Sequence, residues 1–164
     1  MTDIMVISMQ LLFLIGFTLH NLEESVWLPD WSKHAKKFHK PVERNQFIFA
    51  VIIITMIGCL VTFVNILFDQ PGNIPNYIYL GFIGMMGLNS IFPHLVATLI
   101  LKKYAPGLLT GILLNLPISL IIITVYLQKG INIYYLILSI AIVTGLVLFS
   151  LKYLFKLGDK LLNY

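Results

Sequence analysis

A histidine and two carboxylates stand at i, i+3 and i+4 in Leu19-His20-Asn21-Leu22-Glu23-Glu24-Ser25, directly after an uncharged apolar run from Ile4 to Leu19. On a helix His20, Glu23 and Glu24 share a face about 100° wide. Charges at the end of a membrane helix can simply reach water. Two adjacent carboxylates repel each other, however, and Glu at a helix C-terminus opposes the macrodipole. A second polar group lies in Asn89-Ser90-Ile91-Phe92-Pro93-His94, within a later apolar run. Polar and ionisable groups in such runs normally face a bundle interior or a water-filled cavity. Pro93 has no N–H and leaves the carbonyl of Asn89 unpaired. A kink or π-type turn is therefore expected between Asn89 and His94, and such a turn aligns residues five apart.

Two imidazoles and two carboxylates suit a divalent cation, zinc first and iron or manganese otherwise. His20, Glu23, Glu24 and His94 are the expected ligands, with His20, Glu23 and Glu24 carrying the catalysis. A cation between Glu23 and Glu24 would also relieve their repulsion. Tyr104, Thr110 and Asn115 follow at the same end, around the Pro106-Gly107 turn. With Asn89 they are expected to support the site. Taken singly they also read as an interfacial aromatic, a helix cap and an interhelical hydrogen bond.

These residues must be positioned in lipid. The chain has 164 residues, of which 59% are hydrophobic and 11% charged, and its mean hydropathy is +0.91. Soluble domains carry about 25% charge. A bilayer core of about 30 Å needs about 20 apolar residues in a helix, and five segments qualify: about 4–24, 47–68, 77–101, 108–127 and 131–154. The expected fold is all-α, one polytopic membrane domain over residues 1–164, since backbone groups in lipid must pair within each span. Lys33, Lys36, Lys37, Lys40 and Arg44, then Lys102 and Lys103, then Lys152, Lys156 and Lys160 share one side of any five-span arrangement, and Lys129 alone lies on the other. The positive-inside rule then places the N-terminus outside and the C-terminus inside, in the cell inner (cytoplasmic) membrane. Leu28, Trp31, Ala35 and Phe38 recur at helical spacing among lysines, which predicts a short amphipathic interfacial helix after the first span. His34 and His39 on it read as solvated residues.

Other classes are disfavoured. Cys59, alone in an apolar run, supports no disulfide and no thiolate site. The basic residues sit between spans rather than on a nucleic-acid-binding face. The first span follows the acidic Met1-Thr2-Asp3, without a small-residue cleavage site, and is expected to stay rather than to be removed as a signal peptide. Gly81, Gly84 and Gly87 read as a close-packing helix surface.

His20-Asn21-Leu22-Glu23-Glu24 resembles the motif of the small bacterial membrane proteins named for HXXEE. Asn89 and His94 resemble that family's second motif, lengthened here by one residue, and Tyr104-Ala105-Pro106-Gly107 resembles its third. The resemblance runs from His20 to about Thr110 and on into the apolar tail. It implies no chemistry, because the family's function is uncharacterised. The residues themselves point to a membrane-embedded metal-dependent enzyme, open to the cytoplasmic leaflet and acting on a lipid-like or isoprenoid-like amphiphile. Its partners would be membrane lipid and that small molecule, with no nucleic acid and with a homo-oligomer left open. One alternative is a metal-free acid–base isomerase in which Glu23 and Glu24 share a proton. Another is a small carrier or proton-coupled transporter, against which stand the lack of a repeat and of polar residues continuing to the outer side.

Overall fold

Five helices, each long and apolar enough to cross a membrane, make up the computed structural model, which describes residues 2–36 and 40–162. Helix α1 spans Asp3–Ser32 and α2 Arg44–Leu67. Helix α3 covers Ile74–Leu101, α4 Leu108–Gln128 and α5 Ile133–Leu162. Among the described residues there is no strand. Thr2 caps α1 by accepting the Met5 N–H, and Asn73 caps α3 by accepting that of Asn76, as their side chains are suited to do.

The expected break after Glu24 is absent. Helix α1 runs through Pro29 to Ser32 and closes in a 3-10 turn at Lys33–Ala35, so no separate interfacial helix stands among the described residues. Lys37, Phe38 and His39, assigned to that helix, lie outside them. Local ties hold the extension. The Ser32 hydroxyl donates to the Pro29 carbonyl and accepts the Val42 N–H, while Lys33 and Arg44 both pair with Asp30 at 2.8 and 2.6 Å. These bonds tie the last turn of α1 to the start of α2.

Helices α3 and α4 are each interrupted at the same end of the bundle. Helix α3 is kinked within Ser90–Leu95, where Phe92 leaves the helix at φ −126°, ψ 116° and the Phe92–Pro93 peptide bond is cis. A π turn occupies Gly111–Asn115 of α4, just before Pro117. The two segments touch: a Cβ on Gly111 would lie 2.8 Å from the Ser90 hydroxyl.

α1 packs on α2 and α4, and α3 on α2, α4 and α5. Midway along the bundle, Phe13, Phe17, Tyr79 and Phe82 form a buried aromatic layer, with Phe17 and Phe82 edge to face at 5.2 Å. Beyond it, away from His20, lies a polar network that contradicts the expectation of a purely apolar far side. The Tyr126 hydroxyl accepts from Gln10 and Asn65, each at 3.0 Å, and donates to Asp69 at 2.9 Å. Asn76 donates to Asn65 and Asp69, and Lys129 lies 3.6 Å from Asp69. Gln10, Asn65 and Asn76 are fully buried. In lipid such groups are tolerated only when paired.

Candidate metal centre and its loop

His20, Glu24 and His94 present ligand atoms that all lie within 4.8 Å of one another. His20 and Glu24 come from one face of α1, four residues apart. Asn21, on another face, donates to Thr55 of α2 at 2.7 Å and so fixes the rotation of α1. His94 arrives from just past the kink of α3. The two imidazoles meet edge to face at 86°, with ring centres 5.1 Å apart. His20 is fully buried and His94 nearly so, while the Glu24 side chain is 15% exposed.

The hydrogen bonds set the protons. Thr110 has one hydroxyl proton, and its 2.6 Å contact to Glu23 Oε2 uses it, since a carboxylate only accepts. The same hydroxyl then accepts from His20 Nδ1, 3.2 Å away. Nδ1 therefore carries the proton, and Nε2 turns a lone pair toward Glu24 and His94. Asn89 extends its amide nitrogen to both rings, 3.2 Å from His20 Nε2 and 3.1 Å from His94 Nε2. Glu24 Oε1 lies 2.9 Å from His94 Nε2 and 3.7 Å from His20 Nε2. A carboxylate only accepts, so at 2.9 Å Glu24 meets His94 Nε2 through a proton or through a cation. Bonds of about 2.0–2.2 Å to zinc put ligand atoms about 3–4 Å apart; here Glu24 Oε1 stands 2.9 and 3.7 Å from the two Nε2 atoms, and the ligand atoms all lie within 4.8 Å.

Glu23 is corrected from this ligand set. Its oxygens turn away from the cluster and are fully engaged by residues 104–110. Oε1 accepts the Tyr104 hydroxyl and, at 2.8 Å, the Gly107 N–H; Oε2 accepts the Thr110 hydroxyl and N–H. The reason is angular. Consecutive helical residues point about 100° apart, so Glu24 faces His94 while Glu23 faces the loop. The Tyr104 hydroxyl is pushed up to about 12, first by partial burial and then by its bond to Glu23. Gly107 closes the centre. Its φ is +92°, and a Cβ there would meet His94 Cε1 at 2.7 Å, His20 Cε1 at 2.9 Å and Glu24 Cγ at 3.1 Å.

Asn115 does not join the group. It is buried against Gly16, and neither atom of its amide has a partner. Asn89, Tyr104 and Thr110 do join it. Gly107 was read only as a turn residue, although a glycine between the motif's Pro and the next span was the available signal. Outside the loop, a groove of about 960 Å³ runs along α1 past Leu22, Trp27 and Trp31, reaching Glu23, Tyr104 and Thr110. His20, Glu24 and His94 do not line it; they lie behind the Pro106-Gly107 turn.

Fold and centre together describe a five-helix membrane protein with a His/Glu cluster under a loop. A family model described as "Protein of unknown function with HXXEE motif" matches residues 11–122, and so covers every residue of the cluster and loop. The chain belongs to that family. It is 46% identical over 149 residues to the uncharacterized protein YrkK of Bacillus subtilis (strain 168), covering 90% of this chain and 94% of that one. No solved structure matches the chain.

Proposed function

We propose that the protein is a membrane-embedded enzyme that uses one divalent cation, held by His20, Glu24 and His94, on a lipid-like or isoprenoid-like substrate. The observation that carries this reading is the convergence of two buried imidazoles and a largely buried carboxylate, with ligand atoms within 4.8 Å of one another. Three protein ligands with an open fourth position are the mark of catalytic rather than structural zinc. Two His and a carboxylate also suit iron, and manganese remains a further candidate. The bound cation would supply Lewis acidity toward a substrate oxygen or a water. The protein's own residues do the rest. Glu23 and Thr110 hold His20 in the tautomer that frees Nε2, a support that metal-bound histidines commonly have. The Asn89 amide, which lies beside both Nε2 atoms, would yield that place to the cation, and the loop excludes bulk water.

The basic residues of the 33–44 connection, of Lys102 and Lys103 and of the C-terminal end support an orientation with the N-terminus outside the cell membrane and the centre toward the cytoplasmic leaflet. The groove beside the loop supports an amphiphilic substrate. A shared proton between Glu23 and Glu24, which the isomerase alternative requires, has less support, because the two carboxylates take different partners. A through path for a carrier meets the aromatic layer between the two polar clusters.

The test is elemental analysis of protein purified without chelators or a metal-affinity step. About one equivalent of zinc, iron or manganese is expected, lost in Glu24→Gln and His94→Ala but retained in Asn115→Leu. Well-folded wild-type protein that neither carries nor takes up a cation would overturn the proposal.

A further inference from the structure

Asn115 and Ser119 stand four residues apart on the inner face of α4, and they are 0% and 1% exposed. Among the described residues neither side chain has a hydrogen-bond partner: the Asn115 amide offers both its nitrogen and its oxygen, and Ser119 its hydroxyl. Polar groups inside a span normally pair with one another or with backbone, and an unpaired amide in apolar surroundings is costly. Leucine and alanine would fill these positions without that cost.

Glycines lie opposite both. Helix α1 is closed up against the amide, since a Cβ on Gly16 would stand 3.3 Å from Asn115 Oδ1. Helix α3 leaves room. A Cβ on Gly87 would meet Ser119 Cβ at 3.4 Å, and Leu116 Cδ1 and Ser119 Oγ at 3.7 Å, all ordinary contacts. A methyl-sized space therefore adjoins an unpartnered hydroxyl, and one water needs about that much room. The chemistry of the pair selects the same occupant. An amide and a hydroxyl supply donors and acceptors but no charge, so an ion would find no counter-charge there. Side chains four apart on a helix have Cβ atoms about 5–6 Å apart, a span that one water bridges with two hydrogen bonds of about 2.8 Å. Buried waters typically make about three such bonds to groups that otherwise lack them, and three polar atoms are offered here. The position is one turn beneath the His20–Thr110 contact. Gly16 precedes His20 by four residues, and Asn115 follows Thr110 by five across the π turn of α4, each about 6 Å along its helix.

We propose that Asn115 and Ser119 bind one resident water in the space at Gly87, a neutral polar site separate from the cation centre and a turn deeper in the membrane. The inference goes beyond the function proposed above and requires neither cation nor substrate. It accounts for two polar residues that are packed among three helices yet bonded to none of them.

The experiment is solid-state NMR of the full-length, 15N-labelled protein in bilayers of deuterated phosphatidylcholine, reading magnetisation transfer from water protons to the Asn115 side-chain amide. Its signal is identified by its loss in Asn115→Leu. Transfer is expected at Asn115 and not at the backbone N–H of Phe82, in the buried aromatic layer. Gly87→Ala puts a methyl in the space at ordinary contact distances, so the Asn115 signal should remain while its transfer is lost. Ser119→Ala removes one partner, and the transfer should fall. Wild-type protein without transfer to Asn115, or transfer unchanged in Gly87→Ala or in Ser119→Ala, would overturn the inference.

Discussion

Gly107→Ala tests whether the loop presses on the centre. The substitution has two costs. Gly107 sits at φ +92°, where an L side chain is disfavoured by about 1 kcal/mol. Its new methyl would also lie 2.7 and 2.9 Å from the Cε1 atoms of His94 and His20, ring atoms that cannot swing aside like the end of a flexible chain. Reaching ordinary contact requires the rings or the loop to move by several tenths of an ångström, an overpacking that costs about 1–3 kcal/mol. The sum is about 2–4 kcal/mol, and the displaced rings should lose about 10–100-fold in cation affinity, as other disturbances of a ligand's support do. Gly72→Ala is the control. Gly72 has φ +87° but nothing within 4 Å of a Cβ, so it carries the backbone cost alone. Thermal melts in detergent and zinc titration by calorimetry would read both variants. If Gly107→Ala binds zinc like the wild type and melts with Gly72→Ala, the loop does not constrain the imidazoles and the account of the centre fails.

Glu23→Gln should leave one backbone N–H, that of Gly107 or Thr110, without its acceptor, which costs about 1–3 kcal/mol; hydrogen exchange over residues 104–110 should speed up while metal is weakened rather than abolished, and unchanged exchange would refute the latch. The Tyr104 phenol, held up to about 12 from an ordinary 10, contributes stability that is fully present below pH 10 and lost as pH rises toward 12; a spectrophotometric titration in which Tyr104→Phe removes no late-titrating tyrosine would contradict this. In a Cys59→Ala background, Lys36→Cys should label only from the cytoplasmic side and Gln70→Cys only from outside, with the reverse pattern inverting the orientation.

The five spans were legible because lipid leaves a chain few choices: an apolar run of this length must be helical, and its ends are marked by charge. The meeting of Asn89 with His94 was legible for a similar reason. Pro93 cannot complete a regular turn, so a kink was expected there; the kink, rather than a π turn, is what brings Asn89 to His94. The division of labour between Glu23 and Glu24 was not legible. Both lie on the broad face shared with His20, and only the positions of α3 and the 104–110 loop decide which carboxylate meets which. The continuation of α1 past Glu24 was hidden because the apolar run stops there, while the ties that carry the helix on, through Ser32 and Arg44, join residues distant in sequence. The far polar network escaped because each member is a lone polar residue in its own segment, with Gln10 and Tyr126 separated by 116 positions. Gln10 was the available signal, since an amide inside an apolar run needs partners that its own helix does not provide.

That network has a mechanical meaning. It joins α1, α2, α3 and α4 through Gln10, Asn65, Asn76 and Tyr126 with several bonds of about 0.6 kcal/mol each, as measured for such pairs in membranes, and separating the helices in lipid would strand every one of them. At the opposite end, α1 meets the 104–110 segment through the Glu23 carboxylate, the His20–Thr110 bond and the contact of Gly107 with His20 and Glu24. The bundle is thus built like tweezers, fused at the Asp69 end and sprung at the His20 end. Helix α4 runs Leu108–Gln128, about 30 Å. With Tyr126 as the fulcrum, a tilt of about 5° would carry the loop about 3 Å from the imidazoles over that length. Opening the cluster then requires no melted helix: the Glu23 contacts, the His20–Thr110 bond and the packing of Gly111 on Ser90 are what the long arm of the lever must release.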